Sequence, residues 1–148
     1  AFLCVITVYN KTGRDDISAF AGLSKRQPLV ALVFVCALFS LAGLPIFVGF
    51  ASKFYLFNAV GGQGLLWLVA LAIVMSLISL YYYLTIARQL YIENSEDDAP
   101  IAVSFVTKLT LGGLFGVMII LGIYPAFLLE AIQRATDALI SGNLLSLV

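Results

Sequence analysis

The stretch PLVALVFVCALFSLAGLPIFVGFASKFYLFNAV, Pro28 to Val60, decides how this chain folds. It is apolar almost throughout, and Lys53 is its one formal charge. At 1.5 Å per residue a continuous helix over it would be about 50 Å long. The hydrocarbon core of a bilayer is about 30 Å thick, so the stretch is too long for one straight span and too short for two, which would have about 15 residues each. Gly43-Leu44-Pro45 lies near the middle. Proline removes a backbone hydrogen bond and its ring clashes with the preceding turn. The expectation is a single discontinuous transmembrane helix: helix 28–42, a short unwound link at 43–45, then helix 46–60. Two readings of the break stay open from the break alone. One is a proline kink in a packing helix; the other is the broken helix that recurs in ion and solute transporters.

Working outward, the 148 residues are 62% hydrophobic and 11% charged, with a mean hydropathy of +1.07. Soluble domains carry about 25% charged residues, so the chain is expected to be an integral membrane protein or a piece of one. The fold class expected is all-α, a polytopic transmembrane helix bundle with the lipid bilayer as its surroundings. Formal net charge is zero, which gives no basic surface for nucleic acid. There are no histidines, which removes the commonest metal ligand and the usual neutral-pH proton shuttle. Cys4 and Cys36 lie in apolar runs far apart and read as small packed hydrophobes, not as a metal or redox pair.

The other segments follow the same logic. Ala1–Tyr9 is apolar but too short to span. It reads as the tail of a truncated transmembrane helix, and the chain as the C-terminal fragment of a longer membrane protein. Residues 10–27 form a polar loop in which Ser18–Gly22 suits a short surface helix. Gly61-Gly62-Gln63-Gly64 is a turn. Residues 65–86 form a charge-free transmembrane helix, with Tyr81, Tyr82 and Tyr83 in an interfacial belt. Residues 87–102 are a second loop, with Glu93, Glu96, Asp97 and Asp98 as a solvated acidic run. Residues 103–123 form the last span, in which Lys108 snorkels and Gly112 and Gly116 form a helix-packing pair. Residues 126–140 read as an amphipathic helix, with Phe127, Leu128, Ile132, Ala135 and Leu139 on its apolar side. Alternating spans put Lys11, Arg14, Lys25, Arg26 and Arg88 on one side of the bilayer and only Arg134 on the other. The positive-inside rule makes both polar loops cytoplasmic.

Lys53 is the candidate site residue. A charge near the bilayer centre costs roughly 2.5–3.5 kcal/mol on insertion scales. Lys53 lies about 12 Å of helix rise from Gly61, too far for its side chain to reach that interface. On a helical wheel it shares a strip with Gly49, Leu56 and Val60, while Phe47, Phe50, Phe54 and Phe57 form a ridge beside it. A strip with small residues admits another helix or water, which points Lys53 into the bundle. Burial disfavours a lysine's charged form and a nearby charge restores it, which is how a group that takes and releases a proton behaves. A proton relay, a fixed structural ion pair and snorkelling all remain open, with the relay placed first.

At these residues a resemblance enters. Ser40-Leu-Ala-Gly-Leu-Pro-Ile-Phe-Val-Gly-Phe-Ala-Ser-Lys-Phe-Tyr-Leu-Phe57 resembles the broken-helix signature of the antiporter-like membrane subunits of respiratory complex I. Ser79-Leu-Tyr-Tyr-Tyr-Leu84 resembles the following helix of the N-type subunit, and Gly122-Ile-Tyr-Pro125 extends the match. The resemblance implies a proton-translocating membrane-arm subunit of an NADH:quinone oxidoreductase in a bacterial inner membrane. Lys53 would be the terminal lysine of the central hydrophilic axis, and Gly43, Leu44 and Pro45 the helix break. It implies no redox centre in this chain. NAD, flavin, iron–sulfur clusters and quinone would belong to other subunits of the complex, which would be its partners. Phe54-Tyr55 after the lysine favours the N-type over the L-type, and a lysine at 53 disfavours the M-type. Ile46 departs from the second proline of many relatives, and the family's earlier lysines and glutamate match nothing here. A subunit of a multi-subunit Mrp-type cation/proton antiporter and a structural membrane scaffold are the alternatives.

Overall fold

A computed structural model describes residues 1–14, 16–94 and 99–140, with the backbone alone for 127–128 and 138–140. The described residues are helical and contain no strand. Helix α1 is Phe2–Thr12, and α2 is the short Leu23–Arg26. Helix α3 is Pro28–Ala42, α4 is Val48–Gly62 and α5 is Leu66–Tyr91. Helix α6 is Phe105–Ile123 and α7 is Ala126–Ile140. Helices α5 and α6 are each long and apolar enough to cross a membrane, whereas α3 is apolar but shorter. Pro28 opens α3 at its first turn, where a missing N–H costs nothing. Ser104 caps α6: its Oγ accepts from the Thr107 N–H at 3.2 Å.

Helix α3 is the centre of the bundle. Val30, Ala31, Val33, Phe34 and Leu38 are buried, and around them pack Cys4 and Val8 of α1, Leu90 of α5 and Leu111 of α6. By contrast α4 has no buried residue and α5 only Leu90. Leu66, Trp67, Leu77, Phe54 and Leu56 are exposed, apolar surface suited to lipid or to further protein.

The first polar loop departs from expectation. Its 3₁₀ turn is Ile17–Phe20, exposed at Ile17 and Ser18 but turned inward at its second half. Ala19, Phe20, Ala21 and Leu23 are buried, and the Phe20 ring lies 5.5 Å from that of Phe34. The apolar run inside this charged loop is the cause: its side chains plug one end of the bundle. The second loop joins the first there. Gly22 N–H donates to Gln89 O at 3.2 Å, Lys25 Nζ to Asn94 Oδ1 at 3.3 Å, and Arg26 Nε to Ala99 O at 3.1 Å. Ile101 N–H returns to Arg26 O at 3.3 Å. The two loops therefore occupy the same end of the bundle. Glu96, Asp97 and Asp98 lie outside the described residues, as do the side chains of Phe127, Leu128 and Leu139.

The glycine pair in α6 has no close neighbour among the described residues. A Cβ on Gly112 or Gly116 would meet nothing within 4 Å. The close approach is at Gly122 instead, against the carbonyl of Ile46 and the backbone of Phe47.

Candidate functional site at the helix break

The link between α3 and α4 runs from Gly43 to Phe47, two residues longer than Gly43–Pro45. Ile46 sets its length. It sits at φ 85°, a left-handed conformation that is a genuine outlier for a β-branched residue. Phe47 returns to an extended conformation before α4 begins.

A helix leaves its last four carbonyls without intrahelical partners, and in α3 these belong to Phe39, Ser40, Leu41 and Ala42. Gly43, at φ 88°, turns the chain so that its N–H reaches Phe39 O at 3.1 Å and Ser40 O at 3.0 Å. The Leu44 N–H adds a bond to Phe39 O at 3.0 Å. The remaining two carbonyls are taken by Lys53. Its Nζ donates to Leu41 O at 3.0 Å and to Ala42 O at 2.9 Å. The third donor of the ammonium goes to Ser76 Oγ on α5, at 3.2 Å. Three N–H groups meet three acceptors, and the negative end of the α3 dipole lies against the cation.

Glycines make the approach possible. A Cβ on Gly43 would lie 2.8 Å from Lys53 Cδ. A Cβ on Gly49 would run into the Ser40 carbonyl, and the Gly49 N–H instead donates to Ser40 Oγ at 3.3 Å. Gly122 of α6 lets its helix back onto the link at Ile46 and Phe47. The break is thus held from three sides.

Lys53 is half-buried, and no ion pair joins it to an Asp or Glu among the described residues. The structure brings Lys53 and Gly43 into contact, gives the Leu44 N–H a capping bond, and leaves Pro45 exposed in the link. Ser76, Ser40, Gly122 and the carbonyls of Leu41 and Ala42 were not foreseen. Of these, Ser76 and Ser40 carry a sequence signal: a hydroxyl inside a long charge-free run. Among the described residues no group of three or more His, Cys, Asp or Glu gathers to hold a metal.

A concavity of about 510 Å³ opens at the loop end among Lys11, Arg14, Arg26, Gln89, Glu93 and Asn94. Arg14, Ser18 and Glu93 on its rim are already paired. Arg14 forks onto Asp16, with N–O distances of 3.0 and 2.9 Å, and Ser18 donates to the same carboxylate. The guanidinium and hydroxyl hold the Asp16 carboxyl down at about 2. Arg88 reaches Glu93 at 3.3 Å.

Residues 1–79, which include the break, Lys53 and Ser76, match the sequence model of the family described as NADH:quinone oxidoreductase/Mrp antiporter, transmembrane. The chain is 44% identical over 139 residues to the NADH-quinone oxidoreductase subunit N of Heliobacterium modesticaldum, covering 94% of this chain and 29% of that protein. It is 40% identical over 126 residues to the subunit N of Moorella thermoacetica, covering 84% of this chain and 26% of that protein. Against the subunit N of Dehalococcoides mccartyi it is 35% identical over 140 residues, covering 95% of this chain and 29% of that protein. The chain therefore spans less than a third of the length of these relatives. With two helices long and apolar enough to cross a membrane and this match, the chain is a bacterial membrane protein that belongs to the NADH:quinone oxidoreductase/Mrp antiporter transmembrane family.

Proposed function

We propose that this chain is part of the N subunit of a proton-pumping NADH:quinone oxidoreductase, and that Lys53 relays protons within it. The observation that carries the reading is the seat of Lys53: a half-buried ammonium held by two carbonyls at the end of a broken helix. Carbonyl dipoles favour the ammonium and apolar surroundings disfavour it. The link also gives water and neighbouring helices a place to approach, since non-helical backbone at membrane depth is tolerated only beside protein or a wet cavity.

In this reading the chain is a multi-pass segment of the bacterial cell membrane, with both polar loops in the cytoplasm. Its partners are the other membrane subunits of the complex. NAD, flavin, iron–sulfur clusters and quinone are held elsewhere, and redox-driven changes reach Lys53 as altered charge in its neighbours. The family description also covers Mrp antiporters, but the relatives above carry the oxidoreductase name. The test is Lys53→Ala in the full complex, with assembly, NADH-driven electron transfer and proton pumping all measured. Loss of pumping in an assembled complex is expected. Normal pumping would sink the relay, and lost assembly would favour a scaffold.

A further inference from the structure

Carbonyl oxygens only accept hydrogen bonds. The two carbonyls that hold Lys53 can therefore serve an amine N–H as well as an ammonium, but neither can serve the lone pair that appears on Nζ when a proton leaves. Of the three partners of Nζ, Ser76 alone can both accept and donate. Its orientation is unusual for this chain. Most helical hydroxyls turn back on their own helix: Ser79 bonds Met75 O at 3.0 Å, Thr85 bonds Tyr81 O at 3.1 Å, and Ser52 bonds Val48 O at 3.0 Å. Ser76, on the same helix as Ser79 and Thr85, makes no such bond. Its Oγ is turned to Lys53, and among the described residues its own proton has no acceptor.

We infer that Ser76 is a positioning residue for Lys53, accepting a hydrogen bond from the ammonium and donating one to the amine. On release, an N–H bond breaks, the electron pair stays on Nζ and the proton passes to a water molecule. The Ser76 hydroxyl then rotates its O–H onto the new lone pair. On uptake the steps reverse. Nζ thus keeps three hydrogen bonds in either state, and α5 takes a direct part in a site otherwise built by α3 and α4. The inference rests on the relay reading of Lys53.

The test uses three variants in the full complex, each scored as the rate of NADH-driven proton pumping per assembled complex. Ser76→Thr keeps the hydroxyl, Ser76→Val matches the shape of threonine without it, and Ser76→Ala removes it with no added bulk. A hydrogen bond to a charged group is worth enough that its loss slows the step about tenfold or more. The expected result is near-normal pumping in Ser76→Thr and a loss of that size in Ser76→Val and Ser76→Ala. Equal rates in the valine and threonine variants, or a normal rate in the alanine variant, overturn the inference. Lys53→Ala in the same assay separates the two claims. If that variant fails to pump while Ser76→Ala pumps normally, only the role of Ser76 is lost. If Lys53→Ala itself pumps normally, the relay reading falls.

Discussion

Lys53 Nζ stands 2.9 Å from the carbonyl oxygen of Ala42, the last residue of the helix before the break. A side chain of α4 thus closes the open end of α3. The break and the lysine form one arrangement: the break frees the carbonyls, and the lysine takes those that Gly43 and Leu44 leave.

Lys53→Arg separates charge from proton exchange. Arginine keeps a cation at the α3 terminus but does not deprotonate in proteins. The variant is expected to assemble, because the helix end still finds donors, and to lose pumping by about tenfold or more. Pumping in vesicles, normalised to complex content, is the check.

Gly43→Ala meets two obstacles. A left-handed conformation costs a non-glycine residue about 1–2 kcal/mol, and the added Cβ would press on Lys53 Cδ. Gly13 is also left-handed, at φ 67°, yet a Cβ there meets nothing within 4 Å. Both alanine variants are expected to lower the melting temperature of the complex. Only Gly43→Ala is expected to impair pumping.

Gly122→Ala drives a methyl group into the Ile46 carbonyl and the Phe47 backbone. Either α6 or the link has to move, and overpacking of this kind typically costs about 1–3 kcal/mol. The melting temperature of the purified complex should fall, with less subunit incorporated into the membrane.

Asp16 gives a pH prediction outside the membrane. Its carboxyl is held down at about 2 by Arg14 and Ser18. A lowered folded-state value means that its contribution is full above the ordinary aspartate value of about 3.9 and is lost as pH falls through about 2. The residue is exposed, so the contribution to global stability is small. Infrared spectra of aspartate-labelled protein, with Asp16→Asn subtracted, should show a carboxylate persisting at pH 3. Titration near 3.9 would contradict the pairing.

Much of this site was legible in the sequence, because helix length against bilayer thickness and a Gly–Pro break are local properties. Helical periodicity also put Gly49 and Lys53 on one strip, and both meet the end of α3, although Leu56 on the same strip is exposed. The partners of Lys53 were not legible. Two are backbone carbonyls of Leu41 and Ala42, available only because the α3 terminus is capped in a particular way. The third, Ser76, belongs to another helix, and only packing brings it to Nζ. Ile46 hid the length of the link, since nothing in a β-branched residue announces a positive φ. The burial of Phe20 and Leu23 was masked by the charges around them, and the Gly112–Gly116 spacing drew attention away from Gly122, whose close approach depends on where the link runs.

The most direct test of the relay is the protonation state of Lys53 itself. Nitrogen-15 solid-state NMR of lysine-labelled complex in vesicles, with Lys53→Arg subtracted to assign the signal, reports whether Nζ is ammonium or amine. The account predicts that this one resonance shows both forms while NADH drives turnover, and that their ratio shifts from the resting complex. A resonance that remains ammonium at rest and throughout turnover would contradict it.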